Sequence, residues 1–423
     1  MMHHLSSAGM VSRFEEAIIE ACDARLRYVA ALVRAGGGQQ AAPACANSAS
    51  EGVINLRAHL HRYAAEIILR MCFGDDMKTL DLTALFTARD ALLNFFSKPV
   101  LWDFFPWTQP LFRSTIAKGK KLRDGYVDGI RGIIEARRAE FARTSSGGHQ
   151  GGAFPAPQDY LDVLVQQEMQ HPETFGDNVM YSTILVDAFT AGTETSSNTL
   201  EWLLGCLLEN PEALAKVQAE VDAVGDEVGN QMLAEHHTAR LPYLQAALKE
   251  ALRLHHVAPM TNHTASARVD LGDGTYIGAG NMVTFHLDAT NLDPTLFPDP
   301  QRYWPERFLP GGPNAKAGVE LNTSGTGDDD YLPFGSGPRI CAGYRLAQLE
   351  MKIMAANFLR CFHPTVAPGH APDLEERFAI TVRPRGELHA VLRLRPAGVA
   401  LFDAANDAAV LAQGDTLEAA ARG

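Results

Sequence analysis

One short segment carries the residue types that could bind a metal. It is a loop that ends in a single cysteine and a glycine, Phe334-Gly335-Ser336-Gly337-Pro338-Arg339-Ile340-Cys341-Ala342-Gly343. Glycines permit tight turns and let the backbone approach a flat partner closely. A helical pattern begins directly after the loop, and the N–H groups and dipole at a helix start favour the thiolate that binds metals. Arg339 could pair with a carboxylate on a bound group.

A structural role is the alternative for Cys341, because free cysteines are often buried and inert. Five positions of the loop alter that balance by following the pattern F-x-x-G-x-R-x-C-x-G; they are Phe334, Gly337, Arg339, Cys341 and Gly343. This pattern resembles the haem-binding loop of the cytochromes P450. The resemblance implies that Cys341 is the thiolate ligand of a haem iron, and that the cofactor is haem b, iron protoporphyrin IX.

A second cluster lies inside the helical pattern that covers residues 173–209. It reads Ala191-Gly192-Thr193-Glu194-Thr195-Ser196. Glycine and threonine are poor helix formers, and a threonine hydroxyl can bend a helix by bonding to an upstream carbonyl. Glu194 and Thr195 could hold a water and pass protons. The alternative is a helix bend filled with small residues.

This cluster resembles the oxygen-binding groove of the same family, A/G-G-x-D/E-T-T/S. The resemblance implies that Gly192 makes room for O2 beside the helix. It also implies that Thr195 and Glu194 deliver protons during oxygen activation.

A third motif is Glu250-Ala251-Leu252-Arg253, which Pro242 precedes at the start of a helical segment. Residues at i and i+3 share a helix face, so Glu250 and Arg253 can pair; an exposed surface pair is the alternative. The motif resembles the E-x-x-R element of the family, and its expected companion Trp304-Pro305-Glu306-Arg307-Phe308 follows. The resemblance implies a buried network of Glu250, Arg253 and Arg307 that fixes the Cys341 loop.

Strand-like alternation covers residues 257–292, with Gly272, Gly274, Gly278 and Gly280 at the predicted turns. His263 lies where family members often place an Arg or His on a haem propionate, and a surface histidine is the alternative. Four apolar segments, 95–110, 184–195, 257–261 and 378–382, are predicted to line a hydrophobic pocket.

The composition excludes several classes of protein. A net charge of −13 argues against non-specific nucleic-acid binding. Six cysteines lack disulfide-framework spacing, which indicates a reducing compartment. No run of about 18 or more apolar residues is present, and the N-terminus has no signal-peptide pattern. With 46% apolar residues among 423, the chain can bury a large core.

Helical periodicity predicts helices over 11–34 and 55–73, with His59 and His61 on a solvated face of the second. Residues 82–112 are rich in aromatics, which indicates either core packing or a channel or membrane-touching loop at 95–112. A basic helix follows. Residues 376–395 are predicted to form two strands around the turn Pro384-Arg385-Gly386. Asn210 is predicted to cap a helix that begins at Pro211.

The resemblance implies a mainly helical fold with a small β region, a cytochrome P450 fold that lacks its N-terminal part. The family's W-x-x-x-R element, which holds the haem propionates, has no counterpart among Trp102, Trp107, Trp202 and Trp304. We expect the P450 domain to cover residues 1–398, and an Ala-rich, disordered tail to cover 399–423.

The expected function is a haem-thiolate monooxygenase that inserts one oxygen atom from O2 into an apolar small molecule. The Leu241-Pro242-Tyr243 and Pro305-Glu306-Arg307-Phe308 segments resemble eukaryotic microsomal members of the family. This resemblance implies electrons from NADPH through a flavoprotein of the NADPH–cytochrome P450 reductase type, with Arg345, Lys352 and Arg360 as candidate docking residues; ordinary surface charge is the alternative for these three. The alternatives are a haem-thiolate isomerase or dehydratase, and a remnant without catalysis. For the family an endoplasmic reticulum membrane location is expected; a cytoplasmic location is the alternative for a chain without an anchor.

Overall fold

The structure is a computed structural model that describes residues 8–36, 53–96, 100–146, 156–318, 331–378 and 381–418. The fold is mainly helical with a small β region, as predicted. The chain divides into two compact units. The first unit comprises Met1–Leu60 and Thr195–Asp403, and the second comprises His61–Glu194 and Ala404–Gly423.

Helices occupy most of the described residues. The α-helices are α1 (Ala8–Arg34), α2 (Leu56–Phe73), α3 (Leu82–Phe96), α4 (Leu101–Phe104), α5 (Arg113–Ser146), α6 (Tyr160–Gln170), α7 (Asp177–Ser182), α8 (Ala191–Glu209), α9 (Pro211–Val228), α10 (Glu235–Thr238), α11 (Pro242–Leu254), α12 (Leu287–Asn291), α13 (Tyr344–Cys361), α14 (Pro396–Leu401) and α15 (Asp407–Glu418). The strands are β1 (Val53–Asn55), β2 (Met260–Thr264), β3 (Val269–Asp270), β4 (Tyr276–Ile277), β5 (Met282–His286), β6 (Phe362–Val366), β7 (Glu376–Phe378), β8 (Val382–Pro384) and β9 (His389–Leu394).

Helix α13 organises the core of the first unit. It packs against α1, α9 and α10. Its apolar residues recur at helical spacing, and Ile353, Ala356 and Leu359 are fully or almost fully buried. On α1, Ile18 and Cys22 are likewise buried. The helix predicted over 11–34 is therefore confirmed, and its apolar face is the one that packs.

The first unit also carries a three-stranded antiparallel sheet with β9 in the centre, between β1 and β6. Strands β7 and β8 form a separate pair. The two strands predicted around Pro384-Arg385-Gly386 are therefore present as β8 and β9, but they belong to different sheets. The Arg57 side chain explains this, because its Nη2 donates to the carbonyls of Pro384 (2.8 Å) and Gly386 (2.6 Å) and so engages the turn.

The strand pattern predicted over residues 257–292 is confirmed as far as His286, whereas Leu287–Asn291 forms the short helix α12. β2 pairs with β5, and β3 pairs with β4 between them, both antiparallel. Gly272 and Gly274 turn the inner hairpin with φ of +86° and +89°, a backbone region that favours glycine.

In the second unit α3 packs against α5, and α5 packs against α6. Two arginines of the basic helix α5 pair with acidic side chains of the same unit. Arg137 donates to Asp159 (2.8 Å) and Asp76 (2.6 Å) and pairs with Asp162, and Arg138 pairs with Glu168. The basic helix predicted from sequence is thus partly neutralised by its neighbours.

The helix predicted over 173–209 is present from Asp177, but it is not uniform. Residues Thr183–Thr190 form a π-helical segment between α7 and α8. Asn210 stands at the predicted N-cap position of α9, with Pro211 at N1, yet its side chain donates instead to the Cys206 carbonyl at 2.7 Å. The amide therefore closes the end of α8 rather than the start of α9.

The C-terminal region differs from the expected disordered tail. Helix α14 covers Pro396–Leu401 and α15 covers Asp407–Glu418, while residues 419–423 lie outside the described residues. Ala-rich sequence has high helix propensity, which the sequence-based expectation under-weighted. Across the described ranges, none of the helices combines the length and apolarity needed to cross a membrane.

Candidate active site

The Cys341 loop is closed by its own backbone. The Cys341 N–H donates to the Phe334 carbonyl at 2.9 Å, so the two ends of the motif meet. Gly335 and Gly337 have φ of +70° and +69°, which only glycine adopts at little cost. Cys341 is exposed, whereas the other cysteines of the described residues are buried. Cys341 is therefore the exposed cysteine among those that the structure describes.

The electrostatics of that thiol differ from the expectation of a readily formed thiolate. Although the Cys341 residue is exposed at the surface, protein atoms surround much of its sulfur, and this desolvation raises the pKa of the thiol. A hydrogen bond from the Gly343 backbone N–H lowers the pKa, as predicted for a donor at the helix start, but it does not outweigh desolvation. A bound metal cation would supply the missing charge, since a coordinating thiol is deprotonated outright.

The donor set fits a metal that arrives inside an organic cofactor. Within the described ranges, no group of three or more His, Cys, Asp or Glu side chains could hold a metal ion. One thiol cannot complete the coordination sphere of a bare metal ion. It is enough for haem iron, because the porphyrin supplies other ligands. A Cβ placed on Gly335, Gly337 or Gly343 would have no heavy atom within 4 Å, which leaves room for a flat group beside the loop.

The other residues predicted to hold the cofactor lie in the same unit. Arg339 is exposed on the loop, and the Phe334 ring stands 6.4 Å from the Tyr344 ring. His263 is half-buried on β2, where its Nε2 lies 3.3 Å from the Thr261 hydroxyl and its ring meets Phe285 edge-on at 5.6 Å. Contacts of Arg339 and His263 with haem propionates stay a prediction.

The second motif begins α8, directly after the π-helical segment. Thr190 Oγ1 donates to the Leu185 carbonyl at 2.7 Å, and the Tyr126 hydroxyl lies 3.2 Å from the same carbonyl. These side chains stabilise a carbonyl in the wider turn, where the regular ladder is interrupted. The irregular bonding therefore lies in the π-helical segment, which ends at Thr190 directly before the motif.

Gly192 has a packing role that the sequence did not reveal. A Cβ at this position would lie 2.7 Å from Cδ1 of Ile68 on α2. The glycine therefore allows a close approach of side chain to helix backbone in the second unit. A role in admitting O2 is not needed to explain it and stays a prediction.

Glu194 lies beside two basic side chains of the second unit. Its Oε1 lies 3.0 Å from His61 Nε2 and 3.6 Å from Arg89 Nη2. Thr195, the next residue, is half-buried, and its carbonyl accepts from the Thr199 hydroxyl at 2.8 Å. His61 was predicted on a solvated face and is instead a partner of the predicted catalytic acid. A signal existed, because helical residues 61, 64, 65 and 68 share one face with apolar neighbours.

His59 also departs from the predicted solvated face. It is 7% exposed, and burial lowers its pKa to about 3. The ring lies 5.8 Å from that of Tyr28 in the first unit. It therefore belongs to the core as a neutral side chain.

The structure brings Glu250, Arg253 and Arg307 together in the first unit with no exposed side-chain surface. Arg253 binds both Glu250 oxygens, at 2.8 and 2.9 Å, and Arg307 Nε donates to Glu250 Oε1 at 2.9 Å. The remaining donors reach backbone carbonyls, among them those of Asn291 (2.7 Å) and Pro298 (2.8 Å). Desolvation lowers the pKa of Arg307, and the Glu250 charge opposes that change.

The candidate docking cations on α13 separate into two kinds. Arg345 is exposed and its Nε donates to the Tyr344 hydroxyl at 2.8 Å. Lys352 is half-buried. Arg360 is 4% exposed and donates to the carbonyls of Gly225 (2.9 Å) and Gln231 (2.6 Å). Arg360 therefore closes the end of α9 and is not available for docking.

Sequence reasoning also missed Glu350 on α13. It is 1% exposed, and burial raises its pKa to about 8, while a hydrogen bond with the Ser196 side chain lowers it. Ser196 follows Thr195 directly. A glutamate on the buried stripe of an otherwise apolar helix face was the available signal.

The segments predicted to line a pocket are mixed in exposure. Val186 is 51% exposed and Met260 is 43% exposed, whereas Val257 and Val382 are buried. Residues 97–99 and 379–380 of the first and last segments lie outside the described residues.

Comparison with known proteins gives a consistent family. The family model for cytochrome P450 matches residues 33–390. The chain is 34% identical over 293 residues to a flavonoid 3'-monooxygenase of Oryza sativa subsp. japonica, covering 66% of this chain and 53% of that protein. It is 31% identical to an indolin-2-one monooxygenase of Zea mays, covering 83% and 64%. It is 32% identical to a geraniol 8-hydroxylase of Swertia mussotii, covering 70% and 56%.

The chain thus spans about half the length of the curated relatives it matches. The family model nevertheless covers most of the chain, including the cysteine loop, the α8 cluster and the buried Glu–Arg network. On these grounds the chain belongs to the cytochrome P450 family.

Proposed function

We propose that the chain is a haem-thiolate monooxygenase that inserts one oxygen atom from O2 into an apolar small molecule. The single observation that carries the proposal is the exposed Cys341 in a closed loop of the family pattern. Relatives named for hydroxylating flavonoids and geraniol support a small organic substrate.

Bound haem would supply the oxygen-activating redox chemistry, while the protein supplies placement and protons. Cys341 would hold the iron, and the Gly343 N–H would steady the thiolate by donating to Sγ. Phe334, Gly337 and Arg339 would shape the loop around the porphyrin, with His263 as a second propionate contact. The Glu250 network would keep the loop's surroundings rigid without touching the substrate.

Proton delivery is assigned to Glu194 and Thr195. A carboxylate and a hydroxyl on consecutive helical residues can together orient a water and transfer a proton. The partial exposure of Glu194, 14% of its side chain, leaves it a route to solvent protons.

Electrons would come from NADPH through a flavoprotein reductase, with the exposed Arg345 as the candidate contact. Electrostatic docking of this kind raises association rates more than affinity.

The test of the proposal is a carbon monoxide difference spectrum of the reduced, haem-loaded chain. A strongly red-shifted Soret band is expected for the wild type and for Cys206→Ala, a control at a buried cysteine. Cys341→Ser should lose that band. A band that survives in Cys341→Ser would reject Cys341 as the ligand, and its absence from the wild type would reject the function.

We also propose that the aromatic segment contacts a membrane surface. Phe104, Trp107 and Leu111 are 68%, 74% and 79% exposed, and exposed Lys118, Lys120 and Lys121 follow on α5. Aromatic side chains beside lysines suit a lipid interface. Trp107→Ala should weaken sedimentation with anionic phospholipid vesicles, whereas Tyr276→Ala, at an aromatic 57% exposed in the other unit, should not. Equal binding by both variants would remove the segment as the contact.

A further inference from the structure

Glu194 lies where three helical segments of the second unit supply its surroundings. His61 comes from α2 and Arg89 from α3, while Phe189 belongs to the π-helical segment that precedes Glu194. The side chains of His61 and Glu194 are 19% and 14% exposed, and that of Arg89 is 3% exposed. The carboxylate is therefore largely, but not completely, withdrawn from water.

Arg89 is held in place mainly by side chains other than Glu194. Its guanidinium lies over the Phe86 ring at 4.9 Å and the Phe189 ring at 5.7 Å. It donates to Asp90 Oδ1 through Nε at 3.0 Å and Nη2 at 2.7 Å. At 3.6 Å from Glu194 Oε1, Arg89 contributes charge rather than a hydrogen bond.

His61 makes the short contact, with 3.0 Å between Nε2 and Oε1. Its ring lies 6.2 Å from that of Phe86, so one aromatic side chain lies beside both the imidazole and the guanidinium. Of the charged side chains nearby, Arg89 approaches Glu194 to 3.6 Å, and Asp90 binds Arg89. A hydrogen bond from one ring nitrogen fixes the direction of a carboxylate while leaving its other lone pairs available.

We propose that His61 is a positioning residue for Glu194: its imidazole orients the carboxylate from α2, with Arg89 adding a fixed charge behind it. The inference rests on the proposed function, because it gives Glu194 a purpose that requires orientation. The contact does not involve the haem ligand, so it can be tested with the cofactor bound and also without turnover.

A purely structural role is the competing explanation. On the same helix, Arg62 pairs with Glu66 at 2.8 Å, four residues on, and such a pair stabilises a helix without any catalytic use. His61 could likewise pin α2 to α8. The two explanations differ in what removal of the imidazole does to coupling between reductant use and oxygen insertion.

The first measurement is independent of activity. Histidine labelled with ¹⁵N is observed by NMR in the haem-loaded, reduced and CO-bound chain, with His61 assigned from His61→Gln. Glu194→Gln should shift the His61 ring-nitrogen resonances, because the charged hydrogen-bond acceptor is gone. The resonances of His171, which lies 3.6 Å from Glu173 in the same unit, should not move. Unchanged His61 resonances would overturn the proposal.

The second measurement is the hydrogen peroxide released per NADPH oxidised, with geraniol as the probe and a plant reductase as electron donor. His61→Leu should raise this ratio severalfold without changing the CO spectrum, since protons reach the site less reliably. His61→Gln keeps an N–H donor of similar reach and should recover part of the loss. His171→Gln should match the wild type.

The outcomes separate the two levels of the argument. If Glu194→Gln and Thr195→Ala release more peroxide while His61→Leu behaves as wild type, the proposed proton delivery stands and the positioning role of His61 is rejected. If Glu194→Gln itself matches the wild type, proton delivery by Glu194 is rejected, and the role of His61 with it.

Discussion

Two carboxylates, one in each unit, each lie beside two basic side chains: two arginines at Glu250, and a histidine and an arginine at Glu194. Glu250 is fully buried and binds Arg253 and Arg307 at 2.8 and 2.9 Å. Glu194 is 14% exposed, 3.0 Å from His61 and 3.6 Å from Arg89. The first arrangement satisfies the acid with guanidinium forks and a backbone N–H from Trp304.

The difference indicates separate uses for the same residue type. A buried carboxylate whose oxygens accept hydrogen bonds from two guanidiniums is fixed in position, which suits a structural anchor. A carboxylate beside a histidine, near water, can take up and release a proton, which suits a relay. Both glutamates belong to motifs of the same family. The side chains around each one distinguish the proposed anchor, Glu250, from the proposed relay, Glu194.

The largest expected effect is the difference in unfolding free energy lost between Glu250→Gln and Glu194→Gln. Glu250→Gln leaves two buried guanidiniums without their counter-charge and should cost about 3–5 kcal/mol of unfolding free energy. Glu194→Gln should cost less than about 1 kcal/mol, because its site is partly solvated. Urea unfolding of the haem-loaded variants measures both. Equal losses would mean that the two sites do not differ in the way described.

Exchange of the cations sharpens the comparison further. Arg307 uses Nε for Glu250 and Nη1 for the Pro298 carbonyl, a fork that lysine cannot reproduce. Arg307→Lys should therefore lose about 2–3 kcal/mol of stability. Arg89→Lys keeps the charge near Glu194, but it gives up the fork to Asp90 and the guanidinium contacts with the rings of Phe86 and Phe189, so it should lose about 1 kcal/mol. A loss at Arg89 as large as that at Arg307 would mean that the two arginine sites do not differ in the way described.

A third carboxylate, that of Glu350, should give the smallest of these effects, a dependence of stability on pH. Burial raises the pKa of Glu350 to about 8, so the folded chain keeps a proton that the unfolded chain releases near pH 4.5. Stability is then full below that pH and falls as pH rises towards 8. The fall is about 1.4 kcal/mol per pH unit, about 2 kcal/mol between pH 6 and pH 7.5.

Glu350→Gln should flatten that slope, because the amide cannot ionise. Thermal or urea unfolding across this pH range measures it, with Glu16→Gln, at an exposed position of α1, as the control that should follow the wild type. A Glu350→Gln slope identical to the wild-type slope would show that Glu350 is not the group responsible.

Much of the helical framework was predictable from local pattern. The helices at 8–34, 56–73 and 242–254 follow apolar spacing and Pro or Gly punctuation, which act within a few residues. The pairing of Glu250 with Arg253 is also local, since i and i+3 share a helix face. Strand partners were harder: the strands around Pro384-Arg385-Gly386 were found, but not their separation into two sheets.

The amino-acid sequence by itself singled out the residues to which the proposed function assigns chemistry, because Cys341 in its glycine-containing loop and Glu194 beside Thr195 are unusual for their local structure. Tertiary structure alone decided how those groups are surrounded. His61 meets Glu194 across 133 residues, Arg307 meets Glu250 across 57, and Arg360 is buried against the end of α9. Burial and partner charge depend on which distant segments pack together, and these set whether a carboxylate is an anchor, a relay or a neutral acid.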